Sequence, residues 1–283
     1  MPTYSGLFRL PYAASTSPPV YQRSAVVVGG RLYTPYVDNS GIRGIVSLRS
    51  TIDLENYINH AEYESPAGKF SKLEIASDAG LAESNNAIRI LFDADKTNLW
   101  HALYHLRQGW GHEDYIAVGS STGYNFTSAV YGSYLRAMSS ATNTGKLFYT
   151  SYDCEAETWG SVYTLVGSGT SGDVGLAVFS GQLLAFYHSV SASWFYLRVG
   201  RISGDPPVFG QDWEVHVLNN PRDGNLVITP SLAYCFYNNR NSAGERYDAY
   251  ERHYDGSSWS AASQIYTGGC GIPSGMWAGG ILR

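Results

Sequence analysis

Ile88-Arg89-Ile90-Leu91-Phe92, then Leu99-Trp100-His101-Ala102-Leu103-Tyr104-His105, then Gly109-Trp110: residues 88–110 read as two short strands followed by a turn that delivers a tryptophan. The first run is apolar on both faces, the pattern of a strand sandwiched between two layers. The second mixes aromatic and polar residues, as a strand nearer the rim should. The tryptophan recurs at Trp159, Trp213 and Trp259, spaced by 49, 54 and 46 residues from Trp110 onward. A period of about 40 to 50 residues with β alternation inside it is that of a propeller blade of four short antiparallel strands.

Working outward, small apolar runs at 25–28, 73–76, 135–138, 175–179 and 225–229 suit the crowded axis of such a ring. Second strands are expected at 32–36, 88–92, 147–150, 183–187 and 232–237, and third strands at 99–105 and 247–254. The repeating tryptophans are read as wedges between blades. Five units fit between about residues 20 and 268, and an open ring would expose long strand edges. The expected fold is therefore all-β: a single six-bladed β-propeller over residues 1–283, its closing blade shared by strands from 1–14 and 271–283. Five blades with stray terminal strands is the alternative.

Composition excludes several partners. With 31 glycines, 23 tyrosines and only 15% charged residues, the chain suits tight turns and amphipathic rings rather than long helices. A net charge of -5 without a Lys/Arg cluster lacks the footprint that nucleic acid requires. No run of 18 apolar residues is present, so no membrane insertion is expected. The opening residues lack a basic region followed by an apolar run, so no signal peptide is visible, as it would not be if a leader had been trimmed.

The three cysteines, Cys154, Cys235 and Cys270, have no metal-site spacing, and neither a metal nor any other cofactor is expected. Cys235 with Cys270 is the disulfide expected if one forms; three buried thiols is the equal alternative. Asn125-Phe126-Thr127 is an N-glycosylation sequon, informative only in a secreted chain. Catalytic signatures such as GxSxG, HExxH, a dinucleotide-binding glycine loop or a Walker loop are not found.

The stretch 88–105 with Gly109-Trp110, together with Ser40-Gly41-Ile42-Arg43 and Glu251-Arg252-His253-Tyr254-Asp255-Gly256 before Trp259, resembles the repeat of the fungal fucose-specific lectins. That family's fold is a six-bladed propeller. In it an arginine on the second strand and a glutamate on the third grip the sugar hydroxyls through charge-assisted bonds, and an aromatic of the next blade stacks on the ring. On this sequence the resemblance implies Arg89 at the arginine position with His101 at the glutamate position. Arg31 is matched with Gly44, and Glu251 keeps the glutamate while Ala233 takes the arginine position. Phe148 and Leu184 stand at the arginine positions of the third and fourth units. Loss of the pair in every unit argues against multivalent fucose binding.

A second family, the hetero-Diels-Alderases of fungal tropolone-sesquiterpene biosynthesis, is similar to these lectins in fold and joins a tropolone quinone methide to a humulene-type terpene. Lost sugar ligands, low charge and abundant tyrosine suit an apolar pocket for two such small-molecule partners. The expectation is thus a cofactor-independent pericyclase in the secretory pathway, a cytoplasmic protein being the alternative. Orientation alone can supply roughly 7 to 11 kcal/mol to such a reaction. Arg89 and His101 are the expected catalytic donors to the heterodiene oxygen. Trp100 and Tyr104, or tyrosines of the next unit, would pack its face. Tyr36, Tyr187 and His188, at the ends of second strands, and Glu251 complete the expected substrate-binding set. The alternative is a lectin for fucose or another glycan with degenerate sites.

Overall fold

The computed structural model describes residues 21–22, 26–28, 31–38, 41, 43–52, 58–65, 72–77, 87–93, 98–117, 124–141, 145–166, 170–191, 194–203, 207–218, 224–240, 247–267, 277–278 and 281–282. After a short strand β1 (Tyr21–Gln22), the first sheet runs β2 (Val26–Val28), β3 (Arg31–Asp38), β4 (Ile45–Thr51) and β5 (Ile58–Glu64). The second holds β6 (Lys72–Ser77), β7 (Ala87–Asp93), β8 (Asn98–His105) and β9 (Gly109–Ala117), with β1 added in parallel beside β6. The third holds β10 (Tyr124–Tyr131), β11 (Tyr134–Ala141) and β12 (Lys146–Asp153). Its outer strand is split into β13 (Thr158–Trp159) and β14 (Tyr163–Val166). The fourth runs β15 (Thr170–Phe179), β16 (Gln182–Ser191), β17 (Trp194–Ser203) and β18 (Val208–Leu218). The fifth runs β19 (Gly224–Ile228), β20 (Ala233–Arg240), β21 (Tyr247–Tyr254) and β22 (Ser263–Tyr266). A hairpin of β23 (Trp277–Ala278) and β24 (Ile281–Leu282) stands apart from them.

Each four-stranded sheet is an antiparallel meander of consecutive strands, so every connection inside it is a hairpin. Ser180 and Gly181, at φ 50 and 70, form the two-residue turn from β15 to β16, the left-handed pair that matches strand twist. The first strands of successive sheets pack on one another in order, β2 on β6, β6 on β10, β10 on β15 and β15 on β19. Sheets that meet along their first strands radiate from a shared axis, which is the propeller arrangement. No helix occurs among the described residues, and none there is long and apolar enough to cross a membrane.

The core lies in the seams between blades. Leu91 and Leu99 of the second blade pack with Phe126, Leu135 and Tyr152 of the third. Met138, Leu147 and Tyr149 of the third pack with Leu183, Tyr187 and Ile202 of the fourth. Phe179, Leu184 and Phe186 of the fourth meet Cys235, Tyr237 and Tyr254 of the fifth. Tyr104 faces Trp110 across strands β8 and β9, Tyr152 faces Trp159 across β12 and β13, and Tyr254 faces Trp259 beyond β21. Their ring centroids are 5.1, 5.2 and 5.3 Å apart. The repeating tryptophan is thus a cross-strand partner of a repeating tyrosine, a pair that closes the outer end of three blades. The side chain of Trp213 lies outside the described residues.

One strand assignment is corrected. The segment 135–138 is part of the second strand of its blade, β11, and 147–150 part of the third, β12, because β10 supplies the first. Asn125 sits in β10 opposite Ser140. Cys235 is a free, buried thiol whose ionisation burial pushes up, so the Cys235–Cys270 bridge is not formed; Cys270 lies outside the described residues. The expected closing blade from 1–14 and 271–283 also lies outside them, apart from β23 and β24.

Candidate functional site

Hairpin register gives each blade one position equivalent to Arg89 on its second strand and one equivalent to His101 on its third. They are Tyr33 with Leu48, Arg89 with His101, Arg136 with Tyr149, Leu184 with Val199, and Tyr234 with Glu251. Arg136 therefore takes the arginine position that the sequence reading gave to Phe148, Tyr33 the one given to Arg31, and Tyr234 the one given to Ala233. The misplacement follows from the unread strand β10 in one case and from one- or two-residue offsets in the others.

In the seam between the second and third blades, Arg89 Nη1 lies 3.2 Å from His101 Nε2. A guanidinium can only donate, so Nε2 accepts and the neutral imidazole carries its proton on Nδ1. Arg89 is 2% exposed and His101 0%. The third blade closes over them: the Tyr152 ring is 4.4 Å from that of His101 and 5.4 Å from Arg89 Cζ, and Trp159 stands edge-on to His101 at 6.1 Å. The room that a stacked ligand would take is filled by the chain's own rings.

Trp100 and Tyr104 lie on the other face of the same sheet. Adjacent strand residues point to opposite faces, so Trp100, Ala102 and Tyr104 turn toward the first blade while His101 turns toward the third. The structure does not bring Trp100 or Tyr104 to the Arg89–His101 pair; Tyr152 of the next blade is the ring that meets it. Tyr187 is buried in the third-to-fourth seam beside Tyr149 and Val174. Glu251 is half-buried on β21, opposite Phe236 and near enough to Tyr234 to raise that phenol's pKa after burial has done most of it. Tyr36 stands opposite Ser47 and His188 opposite Leu197, and their side chains lie outside the described residues.

The seam between the first and second blades is the more open one. His60 Nε2 meets Ser50 Oγ at 2.9 Å, and its ring lies 5.5 Å from Tyr33 and 5.8 Å from Tyr104. Burial, and then the Arg31 cation, hold the His60 pKa below its ordinary value. Tyr63 packs on Trp110 at 5.2 Å and on Phe92 at 5.7 Å, and its hydroxyl donates to Glu113 Oε2 at 2.7 Å. Burial and that carboxylate push its ionisation well up. Beyond it, Trp100 lies 4.8 Å from Tyr115, which is 52% exposed. The result is a peripheral strip of half-exposed rings bordered by an exposed carboxylate. Sequence reasoning missed it because His60, Tyr63, Glu113 and Tyr115 belong to no repeat; on these fourth strands only Trp110 does. Among the described residues no group of three or more His, Cys, Asp or Glu is placed to hold a metal ion.

No protein-family model and no curated protein sequence matches the chain. Solved structures do. AofleA from Arthrobotrys oligospora superposes with a TM-score of 0.62 at 12% identity, over 92% of this chain and 76% of that one. An exo-β-1,3-galactanase from Phanerochaete chrysosporium, solved with galactose, gives 0.54 at 12% identity over 81% of this chain. The same galactanase with β-1,3-galactotriose gives the same values. This chain spans 59% of the galactanase's length. At such identity the likeness establishes the fold, a β-propeller, and no more.

Proposed function

We propose that this propeller binds glycans, at the strip between its first and second blades. The observation that carries the reading is the juxtaposition of Trp100, Tyr115, Tyr63 and Trp110 with Glu113. Apolar ring faces suit the C–H face of a pyranose, and a carboxylate fixed by the Tyr63 hydroxyl suits its hydroxyl groups. Glu113 also makes the strip unfavourable for anionic sugars, so neutral hexoses and deoxyhexoses are its ligand class. The galactose and galactotriose bound by a propeller of similar fold, and the resemblance to fucose-specific lectins, support the same class.

The pericyclase reading needs Arg89 and His101 to face an enclosed cavity. They face each other and Tyr152, and no observation favours that reaction.

The ring is completed by a sixth sheet. Supporting this, the outward face of the fifth blade carries Val227, Tyr234 and Phe236, all buried although no described blade packs there. The outward face of the first carries the buried Leu32 and Ser47. Screening of the purified protein on an array of immobilised neutral glycans tests the function. Retention on galactosylated or fucosylated glycans is expected, and uniform absence of signal would refute the reading.

A further inference from the structure

Glu113 is a carboxylate set between two pairs of rings. Register puts Tyr115 opposite Trp100, Glu113 opposite Ala102 and Trp110 opposite Tyr104, so these three side chains of β9 all turn toward the first blade. From that blade Tyr63 packs on Trp110 at 5.2 Å, and its hydroxyl donates to Glu113 Oε2 at 2.7 Å. On the other side of the carboxylate, about 7 Å along the strand, stands the exposed Tyr115, tilted on Trp100 at 4.8 Å.

This carboxylate has no cation among the described residues. Its recorded partner is the Tyr63 hydroxyl, and the residue is exposed. The charged groups around it do not neutralise it. Arg43 pairs with Glu64 at 3.9 Å, on the outward side of the first blade. Arg31 acts on His60, at the far end of the seam, and Arg107 lies in the turn that precedes β9, beyond Trp110. Asp114 turns the other way and acts on Tyr152.

An anionic group flanked by half-exposed rings is complementary to an ammonium, which the carboxylate attracts and the negative ring faces hold. The rings stand in two tilted pairs along one strand instead of closing around a point. That layout suits a flat pyranose carrying an amine; a quaternary ammonium or a methylated lysine takes an enclosing cage.

We infer that the strip between the first and second blades takes an amino sugar with a free, non-acetylated amine, its ammonium on Glu113 and its ring on Tyr115 and Trp100. The inference rests on the reading of this strip as a sugar site and extends its ligand class from neutral sugars to cationic ones.

The test is titration of the full chain with a glucosamine trisaccharide, its N-acetylated counterpart, β-1,3-galactotriose, and trilysine as a cation without a pyranose, at a pH that keeps the amines protonated. The free-amine trisaccharide should bind about tenfold tighter than the acetylated one. Raising the salt concentration should shrink that preference. Glu113 is exposed, so Glu113→Gln should fold as the native chain does, and it should abolish the preference. Equal affinity for the two glucosamine ligands, a preference kept by Glu113→Gln, or trilysine binding as tightly as the sugar would each overturn the inference. Binding of acetylated and galactose trisaccharides without an amine preference overturns it and leaves the glycan reading standing, whereas no binding by any saccharide overturns both. Binding of the free-amine sugar alone supports the inference and removes neutral sugars from the strip.

Discussion

Arg89 donates to His101 at 3.2 Å, and both residues are buried. A buried guanidinium is tolerable only while acceptors and ring faces surround it. The pair therefore works as a joint between the second and third blades.

His101→Ala should remove an acceptor from a buried cation and open a void. The expected loss is on the order of 3 kcal/mol, read as a lower urea midpoint. His101→Glu supplies a carboxylate at the same register and should keep the midpoint close to native. Equal losses in both variants would show that the bond to Arg89 does not hold this seam.

Tyr152 and Tyr254 are fully buried and stand opposite Trp159 and Trp259. Each Tyr→Ala change deletes the inner half of a blade-closing pair and should cost about 3–5 kcal/mol. Trp159→Ala and Trp259→Ala, at half-buried rings, should cost less than their tyrosine counterparts. The reverse order in thermal unfolding would mean that the tryptophans carry the wedge alone.

His60 gives stability a pH dependence of defined sign. Its pKa in the folded chain is below the unfolded value of 6.5, by burial first and Arg31 second. Between the two values the unfolded chain binds more protons, so this contribution is present above pH 6.5 and fades as pH falls through the folded value. Thermal midpoints of native chain and His60→Gln, compared at pH 7.5 and pH 5, should diverge less at the lower pH. A native chain whose advantage over the variant grows on acidification would contradict the assignment.

The sequence made the propeller legible because a tryptophan recurs at blade spacing, standing opposite a tyrosine in three blades, and because its second strands are apolar on both faces. It misled at the third blade, where Tyr124–Tyr131 has no apolar alternation clean enough to mark a first strand. That slip of one strand hid Arg136. The opposite facing of Trp100 and His101 follows from their being neighbours on one strand and was open to inference from the start. Closure over Arg89 was not, because the covering ring of Tyr152 comes from another blade, 63 residues from Arg89 by the numbering alone. Nor was the strip around Tyr63, which exists only where two rim strands meet.

The most direct measurement for the glycan reading is calorimetric titration of the native chain and of Tyr115→Ala with β-1,3-galactotriose and with a fucosylated trisaccharide. Tyr115 is 52% exposed, so its removal should leave folding intact. The prediction is saturable binding of at least one ligand by the native chain and a loss of tenfold or more, about 1.4 kcal/mol, in the variant. Undiminished affinity in Tyr115→Ala, or no heat from either ligand with the native chain, would contradict the account.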